Sequence, residues 1–566
     1  MKFTEYLYER PNIEQAENET DQLLQRFVAA KTVVEQIDLL TEINQIRNRI
    51  STMMDLCYIR YTIDTTNEFY QREQDYMDEM SPRMEEISSK LNEALLSSIH
   101  RSELEKVLGK QLFSTAEAQV KTFSKEILPL LEKENKLSSQ YTQLVASAQI
   151  EFNGETLTLA QLEPYAEVAD RTLRKQAVEA RFAFFAEHEE QFDELYDQLV
   201  KVRTEIAHKL GFQNFTELGY YRLNRVNYDA SMVKGYREQI KQHIVPLATK
   251  LRNEQRKRIG VDSLKFYDEA YQFTTGNAKP KEDANWIVSN GKKMYEELSS
   301  ETAEFFQFML DRQLMDLEAK KGKAGGGYCT YMHDYRSPFI FANFNGTSGD
   351  IDVLTHEAGH AFQVYCSRDF SVPEYLWPTY EACEIHSMSM EFFTWPWMEL
   401  FFQEDTEKYK YAHLNDAILF LPYGAAVDEF QHRIYEQPTL TSAERKQVWK
   451  EIEKEYLPHR DYDGISYLES GGFWQRQGHI YDVPFYYIDY TLAQVCALQF
   501  WKRMDEDREA AWKDYVEICQ IGGSLSFTEI VRKANLISPF EEGCIASVLK
   551  PIEKWLEEGT EKVKQL

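Results

Sequence analysis

Residues 322–352 read GKAGGGYCTYMHDYRSPFIFANFNGTSGDID, and this stretch differs in character from the rest of the chain. It is rich in glycine, aromatic and β-branched residues, whereas the segments around it carry apolar residues at helical spacing. Tyr328–Met332 and residues 339–344 are predicted to form two short strands, joined by a turn over residues 333–338. This hairpin is the one clear β element that the pattern predicts in a helical chain.

Upstream of the hairpin, the first two hundred residues predict consecutive amphipathic helices. The breaks between helices are expected at Ser81-Pro82, at Asn153-Gly154 and at Gly211. The helices are expected over residues 16–36, 42–62, 85–99 and 171–210.

Glycine and proline are scarce, with 24 and 16 residues in a chain of 566. Average usage would be roughly 12% for the two together, so long helices are expected to dominate. The fold class is therefore predicted to be mainly α. We expect two parts, an N-terminal helical domain over residues 1–205 and a second domain over residues 206–566.

The chain is strongly acidic, with 93 Asp and Glu against 64 Lys and Arg and a net charge of −29. A protein that binds nucleic acid needs a basic face to neutralise phosphates. The acidic composition therefore predicts that this protein does not bind nucleic acid. Docking on an anionic membrane surface is disfavoured for the same reason. A composition of 43% hydrophobic residues can fill a large core, which argues against disorder.

Targeting signals are not expected from the sequence. The N-terminus carries Glu5 and Glu9 where a signal peptide has an apolar run, and the longest apolar stretch, near residues 417–427, contains Pro422. The seven cysteines form no CxxC pair, a pattern typical of reduced thiols. The sequence therefore predicts a cytoplasmic protein without a membrane partner.

The helix that follows the hairpin is predicted to begin near Val353, with Asp350 and Asp352 as candidate N-caps. It contains His356-Glu357-Ala358-Gly359-His360, an HExxH motif. Histidines four residues apart share a helix face, so both can bind one Zn²⁺. A glutamate beside the first histidine can act as general base on a metal-activated water.

A zinc hydrolase needs a third protein ligand. The next helical segment offers four candidates, which are Glu381, Glu384, His386 and Glu391. One of two acids that share a helix face could bind the metal while the other orients a ligand histidine. Spacing alone does not choose among the candidates.

HEAGH followed by Glu384-x-x-Ser387-x-x-x-Glu391 resembles the thimet oligopeptidase and oligoendopeptidase F family of zinc metallopeptidases, and is most similar to its short bacterial members, the Pz-peptidases. The resemblance implies that the third zinc ligand is Glu384, with Glu391 in a supporting position. It also implies one Zn²⁺ per chain and a helical ellipsoid with a deep substrate channel. Its motifs cover residues 325–490, while the N-terminal helices match only in character.

The segment from Gly478 to Tyr490 is similar to the family's cluster of a histidine and tyrosines, which faces the zinc and stabilises the tetrahedral intermediate. The resemblance assigns this role to His479 and to two tyrosines. Tyr486 and Tyr490 share a helical face, and so do Tyr487 and Tyr490. We favour Tyr486 with Tyr490, although an aromatic core stripe would show the same spacing.

The hairpin directly precedes the metal helix, so its edge is expected to lie along a substrate cleft. An extended peptide could add to that edge through main-chain hydrogen bonds, which ignore side-chain identity. Gly325, Gly326 and Gly327 could form a mobile rim or an ordinary flexible loop.

Taken together, the sequence predicts a zinc endopeptidase that hydrolyses internal bonds of short unstructured peptides. His356, His360 and Glu384 would hold the metal, Glu357 would be the base, and His479, Tyr486 and Tyr490 would stabilise the oxyanion. One alternative keeps the metal but cuts near an end, as a peptidyl-dipeptidase or carboxypeptidase, with a cation such as Arg336 or Arg476 binding the terminal carboxylate. A second is a helical interaction scaffold with a chance HExxH.

Overall fold

The computed structural model describes residues 1–563, and these residues are mostly helical, as predicted. The helices that precede the larger sheet are α1 (Ile13–Ala29), α2 (Val33–Ile63), α3 (Glu68–Ser97), α4 (Arg101–Leu108), α5 (Lys110–Gln119), α6 (Leu128–Ala146), α7 (Leu159–Leu162), α8 (Arg171–Glu187), α9 (Glu189–Lys209), α10 (Phe215–Arg222), α11 (Ala230–Gln239), α12 (Val245–Arg258), α13 (Ala284–Leu298) and α14 (Ser300–Arg312).

The larger sheet is followed by the helices that carry the HExxH motif and the rest of the chain. They are α15 (Gly349–Ser367), α16 (Tyr380–Phe393), α17 (Glu399–Phe402), α18 (Thr406–Glu436), α19 (Ser442–Tyr456), α20 (Ser466–Glu469), α21 (Gly478–Asp482), α22 (Tyr487–Glu506), α23 (Arg508–Ile521), α24 (Phe527–Lys533) and α25 (Cys544–Val563).

The strands form two small sheets. They are β1 (Ile150–Phe152), β2 (Glu155–Leu157), β3 (Met315–Glu318), β4 (Tyr328–Met332) and β5 (Ser337–Phe344). The predicted hairpin is confirmed as β4 and β5, which pair antiparallel, with Tyr328 opposite Phe341. β3 pairs parallel to the other side of β5, so β5 is central and β4 is an edge strand.

Two β features were missed from the sequence. β3 is only four residues long, and its pairing with β5 is a tertiary contact that has no local signature. β1 and β2 form a second hairpin, and Asn153 and Gly154 are its turn residues, both with positive φ. An Asn-Gly pair of this kind is typical of a type I′ hairpin turn, so the expected break is a turn within a sheet.

The predicted helix break at Ser81-Pro82 is wrong, because α3 runs through Pro82. Proline has no N–H, so the carbonyl of Asp78, four residues earlier, loses its helical partner. Asn135 Nδ2 from the neighbouring helix α6 lies 3.4 Å from that oxygen and donates to it. A tertiary contact therefore replaces the local hydrogen bond that proline removes.

The predicted start of the HExxH helix is also wrong. α15 begins at Gly349 with Ser348 as its N-cap residue, so Asp350 and Asp352 lie within the first turn. Asp350 instead accepts hydrogen bonds from the backbone N–H groups of Asn345 and Gly346, both at 2.9 Å, and fixes the loop that follows β5. Asp352 accepts from the Tyr409 hydroxyl at 2.7 Å, which ties α15 to α18.

A continuous cluster of buried side chains runs from the N-terminal segment through most of the C-terminal helices. Helix α16 packs against both α15 and α22, while α15 also packs against β5. α18 contains the longest apolar stretch of the sequence, residues 417–427, and these residues are largely buried in the core. Within residues 1–563, no helix is both long enough and apolar enough to cross a membrane.

A buried ion pair fixes the start of α22. Arg225, in the loop after α10, donates through Nη2 to Asp489 Oδ1 and to the carbonyl oxygen of Phe485, both at 2.7 Å. Both charged side chains are 0% exposed. Phe485 has a positive φ of 69°, so the guanidinium holds the strained residue that directly precedes the tyrosine cluster.

We expect Arg225→Met to destabilise the protein by about 3–5 kcal/mol, because it leaves Asp489 as a buried charge without its partner. Urea titration followed by circular dichroism measures the free energy of unfolding. The double variant Arg225→Met/Asp489→Leu should recover most of the loss. Arg336→Met is the control, since it breaks an exposed ion pair with Asp369 and should cost less than about 1 kcal/mol. Equal effects of the two single variants would contradict the argument.

Candidate metal centre

Helix α15 presents the two histidines of the HExxH motif to one point. The rings of His356 and His360 lie with their centroids 5.0 Å apart and their planes at 83°. Their side chains are 19% and 11% exposed, so both are mostly buried but still reach solvent. This arrangement follows directly from the i, i+4 spacing on a helix.

The crossing of α15 and α16 brings the third candidate ligand to the histidines. The two helices meet at Gly359, where a methyl group would lie 2.7 Å from the carbonyl oxygen of His386 and 2.7 Å from Ser387 Cα. Only glycine allows so close an approach of the two backbones. The glycine of HEAGH is thus needed to place α16, a role that the sequence analysis did not assign to it.

Glu384, on α16, completes a cluster of three ligand atoms with His356 and His360 that lie within 4.8 Å of one another. Glu384 Oε2 lies 3.1 Å from His356 Nε2 and 3.3 Å from His360 Nε2. Two atoms bound to one tetrahedral zinc at 2.0–2.1 Å are separated by about 3.3 Å. The donor set, two imidazole nitrogens and one carboxylate oxygen, therefore fits a zinc ion.

The Glu384 carboxylate is 2% exposed and is held at both oxygens. Ser387 Oγ donates to Oε2 at 2.8 Å, and the Tyr486 hydroxyl donates to Oε1 through a short hydrogen bond. Burial opposes ionisation, but His360 and His356 lower the pKa of this carboxyl well below its ordinary value. The group is therefore ionised, as a metal ligand must be.

Glu391 lies behind the histidines and does not join the three ligand atoms. It accepts hydrogen bonds from His356 Nδ1 and from His413 Nε2, both at 2.7 Å. The first bond places the proton of His356 on Nδ1 and leaves the Nε2 lone pair for a metal. Trp395 Nε1 donates to His413 Nδ1 at 3.0 Å, so His413 is itself oriented.

The contacts of Glu391 were only partly foreseen. The sequence predicts that one acid of this segment orients a ligand histidine, and Glu391 occupies that position. It gives no sign of His413 and Trp395, which come from α18 and from the turn after α16. Neither residue is part of a local motif, so only the folded structure identifies them.

Glu357 lies on α15 between the two histidines of the motif and is 5% exposed. A methyl group at Gly327, which directly precedes β4, would lie 3.2 Å from Glu357 Oε1, so the glycine-rich segment adjoins the glutamate. Burial raises the pKa of Glu357. Its Oε2 atom is buried and has no hydrogen-bond partner within residues 1–563. A free acceptor at this point is what a general base for water requires.

His479, on α21, and Tyr490, on α22, lie together, with His479 Nε2 2.9 Å from the Tyr490 hydroxyl. Burial lowers the pKa of His479 to about 4, so its imidazole is neutral. Both residues line a cavity of about 420 Å³ that is also bordered by Glu391 and His413. The structure thus places His479 and Tyr490 around the same cavity as Glu391, the residue that orients His356.

The two tyrosine alternatives differ in their contacts. Tyr486 precedes α22 and stacks near Tyr490, with ring centroids 4.9 Å apart, and its hydroxyl reaches Glu384. Tyr487 packs against α18, with its ring 5.8 Å from those of Phe420 and Tyr423, and it lines the same cavity as His479 and Tyr490. Of the two, Tyr486 is the one in contact with the candidate metal ligands.

Three other residues named from the sequence lie apart from the cluster. His386 is buried against Tyr515, with ring centroids 6.0 Å apart, and burial lowers its pKa to about 4. Glu381 is fully buried, and this burial raises the pKa of its carboxyl. Arg336 forms an exposed ion pair with Asp369.

The chain matches two family descriptions. Residues 3–123 match the peptidase M3 N-terminal domain, and residues 164–548 match peptidase family M3. The chain belongs to peptidase family M3. The predicted resemblance and the predicted enzyme class, a metalloendopeptidase, are thereby confirmed.

Relatives and solved structures agree with this assignment. The M3 peptidase described here is 25% identical over 421 residues to an oligoendopeptidase F homolog of Borreliella burgdorferi, covering 70% of this chain and 69% of that protein. It superimposes on Pz peptidase A with inhibitor 2 at a TM-score of 0.98 and 64% identity, over 98% and 99% of the two chains. For a crystal structure assigned as an oligoendopeptidase F from Bacillus anthracis, the TM-score is 0.93 and the sequence identity is 57%. That match covers 99% of this chain and 98% of the other.

We expect Gly359→Ala to weaken metal binding by about 10–100-fold, the range seen when a ligand loses its orienting contacts. The added methyl group must push α16 away, which also costs about 1–3 kcal/mol of stability. Competition with a zinc-binding dye measures the affinity. Gly325→Ala is the matched control, because a methyl group there meets no atom within 4 Å. Unchanged metal affinity in the Gly359 variant would show that the two helices can move apart without displacing Glu384, which would contradict the argument.

Proposed function

We propose that this M3 peptidase is a zinc-dependent oligoendopeptidase that cuts internal bonds of short unstructured peptides. The observation that carries the proposal is the cluster of His356, His360 and Glu384 beside a buried glutamate with a free oxygen. His356 and His360 would bind one zinc through Nε2 and Glu384 through Oε2. When bound, zinc lowers the pKa of a water molecule and polarises the scissile carbonyl.

Glu357 would be the general base. It lies one residue from His356 on the same helix, and its side chain is almost fully buried. Its free Oε2 atom would accept a proton from the attacking water and later pass that proton to the leaving amine. Gly327 leaves room for this exchange, because any larger residue would press on the Glu357 carboxylate.

When water attacks the scissile carbonyl carbon, the negative charge develops on the carbonyl oxygen, and this oxyanion needs hydrogen-bond donors in a site with little water. Burial raises the pKa of Tyr486 and Tyr490 well above the usual value, so both phenols keep their protons. Tyr490 would donate directly to the oxyanion while His479 holds it in place. Tyr486 donates to Glu384 Oε1 and would reach the intermediate by exchanging that partner.

The edge strand β4 would hold the substrate backbone. Its inner side is paired with β5, and its first residues lie next to Gly327 and therefore next to Glu357. A peptide added along this edge would run past the base in an extended conformation. Binding through backbone groups suits a peptidase for unstructured peptides, since it places few demands on side chains.

The overall negative charge is proposed to extend to this cleft. Glu391 and Asp352 border the 420 Å³ cavity beside the site, which would favour cationic side chains there. We also propose, as the sequence predicts, a cytoplasmic location and a division into an N-terminal helical part, residues 1–205, and a catalytic part, residues 206–566. The N-terminal part would form one wall of a channel that admits short peptides.

Cleavage near the C-terminus would need a cation in the site to bind the terminal carboxylate. Arg336 does not supply it, because it pairs with Asp369 at the surface. Arg476 lies over the ring of Phe473, 4.9 Å from its centroid, and remains the candidate for such a role. The geometry of the metal cluster is the same for both modes of cleavage, so products decide between them.

We expect Glu357→Gln to retain about one zinc per chain and to lose activity by about 10²–10⁴-fold, since the amide cannot accept the proton of water. Turnover of a quenched fluorescent peptide and elemental analysis of the purified enzyme give the two quantities. Glu384→Gln is the contrasting variant and should lose zinc as well as activity. Full turnover in the Glu357 variant would refute the proposed mechanism.

Peptides of about ten residues with an acetylated N-terminus and an amidated C-terminus should be cut at internal bonds, because recognition through β4 requires no free end. Mass spectrometry identifies the products, with a chelator-treated sample as the metal-free control. The Arg476→Met variant should cut peptides with a free C-terminus and peptides with an amidated C-terminus equally well. Cleavage only of peptides with a free C-terminal carboxylate, lost in the Arg476 variant, would establish the carboxypeptidase alternative instead.

A further inference from the structure

A chain of three hydrogen bonds leads from α18 to the tyrosine cluster. The hydroxyl of Tyr423 donates to Gln477 Oε1 at 2.9 Å. Gln477 Nε2 lies 2.7 Å from His479 Nδ1, and His479 Nε2 lies 2.9 Å from the Tyr490 hydroxyl oxygen. Gln477 is only 8% exposed and directly precedes α21, so little water competes for these bonds.

The chemistry of the amide gives this chain a direction. An amide nitrogen only donates, so Gln477 Nε2 must donate to His479 Nδ1, which is then the acceptor. A neutral imidazole carries a single N–H, and here that hydrogen must be on Nε2. His479 therefore donates to the oxygen of Tyr490, and the hydrogen of the Tyr490 hydroxyl is left for a different acceptor.

We propose that Gln477 is a positioning residue, which fixes the tautomer of His479 so that Tyr490 is an acceptor toward His479 and a donor toward the substrate oxyanion. The opposite tautomer would reverse the hydrogen bond between His479 and Tyr490. Tyr490 would then donate its hydrogen to His479 Nε2 and could not donate it to the substrate. Tyr423 contributes by donating to the oxygen of the amide, which completes the hydrogen bonds of the amide in this orientation. This assignment rests on the proposed function of Tyr490 in hydrolysis.

The location of the four groups supports a role in orientation. Tyr423 comes from α18, and its ring packs against Trp449, Phe473 and Tyr487, with centroid distances of 5.8–6.3 Å. Its hydroxyl is thus fixed by a packed aromatic wall. Burial lowers the pKa of His479 to about 4, which agrees with a neutral ring and a single, defined tautomer near neutral pH.

The first test is the tautomer itself, measured in the zinc-loaded enzyme labelled with ¹⁵N-histidine. Long-range ¹H–¹⁵N correlation spectra distinguish Nδ1–H from Nε2–H, and His479→Gln assigns the signal among the 12 histidines. We expect the wild-type ring to carry its proton on Nε2. A proton on Nδ1 would overturn the proposal, whatever the activity of the enzyme, so this outcome is distinct from a failure of the proposed hydrolysis.

The second test reverses the direction of these hydrogen bonds by replacing one donor atom, the amide nitrogen of Gln477, with an acceptor. Gln477→Glu keeps the shape of the side chain but offers only acceptors, so the proton of His479 should move to Nδ1. We expect kcat to fall by at least about 10-fold, toward the 10²–10³-fold loss typical of a missing oxyanion donor, with KM changed by less than about 3-fold. An unchanged tautomer or an unchanged kcat would contradict the proposal.

Two further variants separate orientation from local damage. Tyr423→Phe leaves Gln477 in place but frees its amide, and should give a mixture of tautomers with an intermediate kcat. Gln475→Met is the matched control, because Gln475 contacts Tyr467 and Asp193 instead of His479. It should leave the His479 tautomer unchanged even if stability falls. A tautomer shift in the control would assign the effect to general disturbance of this segment.

Discussion

The contact on which the candidate site depends is the close crossing of α15 and α16 at Gly359. The separation of the two backbones is set by the absence of a side chain there, with His386 O and Ser387 Cα both within 2.7 Å of the position of a methyl group. Helices normally pack with side chains between them. Because no side chain separates the two backbones at Gly359, Glu384 on α16 reaches both histidines of α15, so the cluster of candidate ligands is a consequence of helix packing.

Around that crossing, the candidate site residues are oriented by hydrogen bonds to side chains that are themselves oriented by further hydrogen bonds. Glu391 fixes the proton of His356 and is fixed by His413. In the same way, Gln477 fixes the position of the proton of His479. A buried polar group is costly unless all its bonds are made, so such chains define one arrangement of protons. The proposed catalytic groups are thereby oriented before a substrate arrives, which is how a rigid site stabilises a charge that develops only during the reaction.

Much of the fold followed from local pattern. The hairpin was predicted with nearly correct ends because β-branched and aromatic residues lie between turn residues, and the helical majority followed from spacing. Errors occurred where a distant contact replaced a local rule. Pro82 stays inside a helix because Asn135 bonds the carbonyl that proline leaves free, and Asp350 serves the preceding loop instead of capping α15. Neither partner is visible within a short window of sequence.

The sequence by itself determined the chemistry. Two histidines four residues apart and an adjacent glutamate must share one helix face, because 3.6 residues complete a turn. Spacing left the third ligand open among four residues of α16, and only the family resemblance pointed to Glu384. Neither gave a sign of His413 or Gln477. The contacts of these residues required the tertiary structure, since they depend on which helix faces meet and how closely. Side chains far apart in the chain become neighbours only when burial of apolar surface brings their helices together, and that packing decided which of the many acidic residues belong to the site.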